Sequence, residues 1–175
     1  YYNSHEKISF DDYTYRRKFT MEYNVESFTL DHRKVVAPYI RTCCSLQGKN
    51  GDIVTKFDLR FTQPNQEFMP TDAIHGLEHL LAHYIRDEDL QVIDLSPMGC
   101  RTGFYLSVWG DIQPAKIKIA LENALNRALE ATEIPAANEI QCGNYRDLSL
   151  PGAHQFAKQV LEKGFSLNVF GENNN

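Results

Sequence analysis

The chain lacks any apolar run approaching the roughly 20 residues that a membrane-spanning helix needs, so no membrane partner is expected. Its first residues, Tyr1-Tyr2-Asn3-Ser4-His5-Glu6-Lys7, hold no apolar signal-peptide core. Cysteine is sparse, with four in 175 residues, too few for a disulfide scaffold. The neighbours Cys43 and Cys44 hold their sulfurs in poor geometry for bridging one another. All four are expected to be reduced thiols in a cytoplasmic protein. Positive charge is in deficit: 18 Lys and Arg against 23 Asp and Glu give a net charge of -5. An acidic protein gains nothing electrostatically from nucleic acid or anionic lipid, so neither partner is expected.

What is present fits one globular domain, with 42% hydrophobic and 23% charged residues. Residues 1–23 are polar and tyrosine-rich, carry Arg16-Arg17-Lys18, and show no apolar period. They read as an extension or tag, expected to be poorly ordered, before a single domain over residues 24–170. Residues 171–175 read as a frayed tail. Within the domain, Val25 to Asp31 reads as a strand. Asp52 to Thr62 is a clearer one, with Thr55, Phe57, Leu59 and Phe61 on one face and Lys56, Asp58 and Arg60 on the other. Gln91 to Leu95 and Gly103 to Trp109 read as two strands around a turn, and Glu139 to Gly143 as a short one. Pro114 opens a helix whose inner stripe is Ile117, Leu121, Ala124, Leu125 and Ala128. Pro151 opens another, with Ala153, Phe156, Ala157, Val160 and Leu161 inward and Gly164 as its stop. The fold class predicted is α+β, an antiparallel sheet packed by a few helices.

Ile74-His75-Gly76-Leu77-Glu78-His79 is the segment richest in chemistry. Pro70-Thr71-Asp72 starts a helix, and Ile74, Leu77, Leu81, Tyr84 and Ile85 form its apolar stripe. Residues four apart lie about 40° round a helix, so His75 and His79 can grip one metal while Glu78, on the adjoining flank, can move protons. The order is H-x-x-E-H, the mirror of the commoner zinc motif. The two histidines point away from the apolar stripe. Either they face water as an ordinary polar side, or a second wall, from this chain or a partner, closes over them. His83 rotates away from His75 and reads as an ordinary partly exposed histidine.

Two cysteines bear on that choice. Cys142 stands beside Gly143, and a thiolate added to two imidazoles would leave one position open on a catalytic metal. A lone cysteine is more commonly a small buried hydrophobe. Cys100 lies in the tight connection Ser96-Pro97-Met98-Gly99-Cys100-Arg101-Thr102-Gly103, where Arg101 would favour its thiolate electrostatically. It reads as a base, a nucleophile or a bystander, and the residues alone leave the choice open.

Several blocks together resemble the S-ribosylhomocysteine lyase (LuxS) family: Val25-Glu26-Ser27-Phe28-Thr29-Leu30-Asp31-His32, Lys56-Phe57-Asp58-Leu59-Arg60-Phe61, the His75–His79 motif, Asp94-Leu95-Ser96-Pro97-Met98-Gly99-Cys100-Arg101-Thr102-Gly103-Phe104-Tyr105 and Cys142-Gly143-Asn144-Tyr145-Arg146-Asp147. The resemblance runs from residue 25 to about 165. It implies a homodimer with the metal site on a helix face at the subunit interface. His75, His79 and Cys142 would ligate one divalent metal per subunit: ferrous iron, with zinc or cobalt able to substitute. Glu78 and Cys100 would be the acid–base pair. Ser27, His32 and Arg60 would contact the sugar of S-ribosylhomocysteine, and Asp94 with Lys56 the homocysteine part.

The implied reaction moves the sugar carbonyl from C1 through C2 to C3, which makes the C4 proton acidic. β-Elimination then releases homocysteine and 4,5-dihydroxy-2,3-pentanedione, the precursor of autoinducer-2. Two positions depart from the family pattern. Gly76 stands where threonine is usual and is expected to loosen the metal helix, and Leu148 stands where histidine is usual. Neither is a ligand or acid–base position, so altered stability or substrate fit is expected rather than lost activity. Two rivals compete with the lyase: an H-x-x-E-H metallopeptidase, which needs Glu122, Glu130 or Glu133 as third ligand, and a structural-zinc interaction module.

Overall fold

A computed structural model describes residues 25–171; the readings for residues 1–23, and for the tail past Gly171, lie outside the described residues. The chain divides into two compact units at Leu30. The described part of the first unit holds α1 (Glu26–Thr29). The expected strand at 25–31 is therefore one helical turn, closed by Phe28 N–H donating to the Val25 carbonyl (3.0 Å) and the Thr29 hydroxyl to that of Glu26 (2.7 Å). Neither alternate face of this segment is consistently apolar, so its period of two buries nothing as a strand.

The second unit builds β1 (Tyr39–Gln47), β2 (Ile53–Arg60), α2 (Thr71–Tyr84) with a 3₁₀ turn at Ile85–Asp87, β3 (Val92–Pro97), β4 (Gly103–Trp109), α3 (Pro114–Glu130) and α4 (Leu150–Lys163). The strands pair antiparallel in the order β1-β2-β4-β3. The α+β class and three of the strands agree with expectation. β1 escapes a periodicity search because its register shifts between Thr42 and Cys44, so Cys43 is a bulge that breaks the alternation. Glu139 to Gly143 is a turn, not a strand: the Asn138 side chain accepts the Ile140 and Gln141 N–H groups at 3.1 Å each, competing with any ladder.

One face of the sheet carries Phe57, Leu59, Leu95, Phe104, Leu106 and Val108 into a core shared with the helices. The predicted stripes of α2, α3 and α4 supply the other half, with Leu77, Leu81, Leu121 and Leu125 fully buried and Tyr84 and Leu161 partly so. Burying one such side chain contributes roughly 1.5–3 kcal/mol. α4 starts at Ser149, whose hydroxyl accepts the Gly152 N–H, and stops at Gly164, whose φ of 73° suits glycine.

Gly76 has a packing role beside its low helix propensity. It is buried, and a Cβ there would stand 2.9 Å from the Ser149 carbonyl oxygen and 3.1 Å from Ile134 Cδ1. At Gly152 a Cβ would come 2.8 Å from Ala73 Cβ. Glycine at both points lets α2 lie close against the start of α4 and the segment leading into it, and Ser149 N–H donates to the Asp72 carbonyl (2.9 Å) across the same contact. Gly76→Thr is accordingly expected to destabilise the fold by about 1–3 kcal/mol despite its better helix propensity. Gly99→Ala, where a Cβ meets nothing within 4 Å, serves as the control. Denaturant melts of the two variants compare them; equal midpoints would show that the α2–α4 contact yields freely.

Candidate metal centre and thiol cleft

The second wall over the α2 histidines comes from this chain itself. His75 Nδ1 lies 2.8 Å from the Asp147 carbonyl and His79 Nδ1 lies 2.7 Å from that of Pro135. A carbonyl only accepts, so each Nδ1 carries the proton and each neutral ring keeps its lone pair on Nε2. Cys142 is buried, and its Sγ sits 3.5 Å from His75 Nε2. Ligand atoms of His75, His79 and Cys142 all fall within 4.8 Å of one another. Metal–nitrogen and metal–sulfur bonds at a tetrahedral angle would put N and S about 3.6 Å apart, so the observed N···S separation fits a metal's coordination edge. The histidine and cysteine donors therefore suit a divalent ion, with the imidazoles aimed before it binds.

The segment between α3 and α4 is shaped for this task. Asn138 accepts two backbone N–H groups through its side chain and that of Cys142 through its carbonyl (3.0 Å), which turns the thiol inward. Glu78 is half-buried on the same helix, between the histidines in sequence. His83 is exposed and stacks near Tyr84. The third donor beside the histidines is a cysteine, and none of Glu122, Glu130 or Glu133 joins the cluster among the described residues, which removes the ligand a metallopeptidase would need.

A second group of expected residues gathers elsewhere. His32, Arg60 and Cys100 line one cleft of 540 Å³, together with Glu67, Phe68 and Thr102. His32 sits in a turn closed by Lys34 N–H donating to the Asp31 carbonyl (3.0 Å). Arg33 forks onto the Asp31 carboxylate, and that hydrogen bond holds the carboxyl well below its usual range. The β2 face expected to be polar is indeed charged, but Asp58 and Arg60 are buried there. Arg60 donates to both Asp58 oxygens (3.2 and 2.8 Å), and Arg41 and the Tyr39 hydroxyl add to the same carboxylate (3.3 and 3.4 Å). Burial works against the Arg60 charge, yet the hydrogen bond and charge of Asp58 hold its pKa above the usual value. Burial, then the Asp58 charge, pushes the Tyr39 phenol up to about 12, so it stays a donor at neutral pH.

Arg60, not Arg101, reaches the Cys100 sulfur, at 3.9 Å; the Arg101 guanidinium instead stacks on Phe68, 4.5 Å from the ring centre. Arg101 takes the left-handed φ of 59° in the turn, where a glycine would be the simpler choice. Thr102 and Asp58 escaped sequence reasoning. The only signal for Asp58 was a carboxylate two residues from Arg60 on one strand face. Lys56 and Asp94 both pair with Ser107, from opposite sides of β4, so they share the polar sheet face roughly 10 Å apart. Lys56 lies over the Tyr105 ring (4.0 Å), and Asp94 accepts from Ser96 (2.9 Å). Ser27 is on α1 in the first unit.

The S-Ribosylhomocysteinase (LuxS) family matches residues 25–170. The chain is 69% identical over 148 residues to the S-ribosylhomocysteine lyase of Clostridium botulinum (strain Alaska E43 / Type E3), covering 85% of this chain and 98% of that protein. The corresponding protein of Clostridioides difficile (strain 630) is 64% identical over the same shares. That of Enterococcus faecalis (strain ATCC 700802 / V583) is 52% identical, over 83% of this chain and 95% of its own length. Matches of this extent, over the stretch that carries both the His–His–Cys cluster and the thiol cleft, show that the chain belongs to the S-ribosylhomocysteinase (LuxS) family.

Proposed function

We propose that the protein cleaves the thioether of S-ribosylhomocysteine to homocysteine and 4,5-dihydroxy-2,3-pentanedione, the autoinducer-2 precursor, with residues 24–170 as the lyase domain. The observation that carries this reading is the convergence of two pre-aimed Nε2 atoms and the buried Cys142 sulfur in a chain of this family. His75, His79 and Cys142 hold one divalent ion, ferrous iron in our proposal, with zinc or cobalt able to fill the same donors. Once bound, the ion supplies a Lewis acid that polarises the sugar carbonyl.

The remaining work falls to side chains. A thioether leaves poorly until a carbanion forms on the neighbouring carbon, so the carbonyl must first travel along the sugar by paired proton transfers. Cys100, as thiolate, takes the proton from one carbon and delivers it to the neighbouring carbon, while Glu78 carries a proton between the corresponding oxygens, so both groups are restored after each transfer. The second transfer repeats this one carbon further on. Loss of the C4 proton then expels the homocysteine sulfur from C5. His32 and Arg60 orient the sugar hydroxyls in the cleft, while Lys56 and Asp94 face the amino-acid end from the sheet; Ser27 is assigned to the sugar by the family resemblance alone.

The two clusters lie on different sides of the sheet. α2 packs its apolar stripe on one face, with the histidines turned away from it, whereas Arg60, Lys56 and Asp94 project from the opposite face. That separation supports a homodimer in which one subunit's metal helix meets the other's cleft. No helix among the described residues is long and apolar enough to cross a membrane, and unbridged cysteines suit a reducing cytoplasm.

Thiol release from S-ribosylhomocysteine by anaerobically prepared protein tests the activity, and its absence from metal-replete protein would end the proposal. Glu78→Ala and Cys100→Ala are expected to keep their metal while losing about 10²-fold or more in turnover. His79→Ala and Cys142→Ala should lose metal as well; a full metal complement in Cys142→Ala would overturn the ligand set. Mixing Cys100→Ala with Cys142→Ala subunits is expected to restore about one quarter of wild-type activity, because half of the dimers carry one intact composite site. Two inactive parents that stay inactive on exchange would place each site within one subunit.

A further inference from the structure

Thr102 is buried beside Cys100 and belongs to neither the metal cluster nor the substrate contacts described above. Its Oγ1 lies 2.7 Å from Arg60 Nη1 and 3.1 Å from Cys100 Sγ. A guanidinium only donates, so at the first contact the threonine oxygen must accept. Its single proton is then left for the sulfur, the acceptor it meets among the described residues. Were Cys100 a thiol donating to the same oxygen, that oxygen would receive two donors and its own buried proton would lose its acceptor, a costly arrangement. The contact is thus satisfied with the threonine as donor and the sulfur as acceptor, and a charged acceptor makes it strongest.

We infer that Thr102 is a positioning residue for the proton-transfer step: its hydroxyl, oriented by the Asp58-anchored Arg60, donates to Cys100 Sγ and holds that sulfur as the reactive thiolate. The consequence for catalysis rests on the lyase reading above; the effect on the thiol does not. Other charged or titratable groups around the sulfur are Arg60 from β2, His32 and Glu67 across the cleft, and Arg101 on the same turn. Arg101 is drawn off to Phe68, and Glu67 accepts both contacts from the Gln159 side chain at 3.0 Å. Thr102, 3.1 Å from the sulfur, is a donor that can be removed without changing charge.

The test is the pH dependence of iodoacetamide alkylation at Cys100, read by mass spectrometry of its peptide in metal-replete wild type, Thr102→Val, Thr102→Ala and Thr102→Ser. Losing the hydroxyl is expected to move the half-reaction point upward by about one pH unit, a tenfold drop in thiolate below that point. Serine is expected to restore the wild-type profile. If valine disturbs the circular dichroism spectrum, alanine is read in its place. Val and Ala profiles that superimpose on wild type would overturn the inference, as would a Ser profile shifted as far as Val, since that would assign the effect to the methyl group. Because alkylation needs no substrate, a shifted profile in a protein that releases no homocysteine would sink the lyase reading alone. With turnover present, the acidic limb of kcat should move by the same amount while KM changes little.

Discussion

The site depends on how tightly the segment from Ala131 to Ser149 lies against the polar side of α2. A pair of histidines four apart on a helix is common and orients nothing by itself. Here two backbone carbonyls, of Pro135 and Asp147, take the Nδ1 protons and fix both rings with Nε2 exposed to a shared point. The same segment delivers the Cys142 sulfur there. Its close approach is permitted by Gly76, where a methyl group would press on the Ser149 carbonyl. Ligand geometry is thus set by a backbone contact on the far side of the helix turn.

The cleft obeys a different constraint. Taking Asp58 and Arg60 out of water costs several kcal/mol per ion, and a well-packed apolar pair would be as stable or more so. Such a pair makes little sense as a stability device. It makes sense as a fixed cation: three donors converge on Asp58, Arg60 is gripped through two of its nitrogens, and its third is left for Thr102 and the sulfur. A lysine could not divide its contacts in this planar way. Removing Asp58 would leave a buried guanidinium without its counter-charge.

Much of this was legible in the residues. Helical periodicity gave α2, α3 and α4, because their stripes recur without interruption, and the two histidines of the His–His–Cys cluster followed from a four-residue spacing, whereas Cys142 came in through the family resemblance. β1 was hidden by the Cys43 bulge, and the 25–31 and 139–143 segments were misread because short stretches of mixed polarity bury no consistent face. Arg101 looked like the cation for Cys100 because it is adjacent in sequence, yet a left-handed turn points it elsewhere and a residue on another strand takes its place. Partners brought together across strands leave no local pattern, which is why Thr102 gave no signal in the sequence and Asp58 only its place two residues from Arg60 on one strand face.

Two cysteines of the same chemistry are assigned opposite duties, and their surroundings explain how each could be kept to its own. A thiolate is among the better ligands for the ions in question, so a catalytic thiolate near the metal risks becoming a fourth ligand. Cys142 is buried with His75 Nε2 as its neighbour, inside the group of donors that a divalent ion would join. Cys100 is exposed on the other side of the sheet, between a guanidinium and a hydroxyl that both donate to it. Those donors would stabilise a thiolate at some cost in its basicity, and they would have to be surrendered if the sulfur bound a metal. On this reading the buried Asp58–Arg60 pair serves the proposed base, although neither residue belongs to the His–His–Cys cluster.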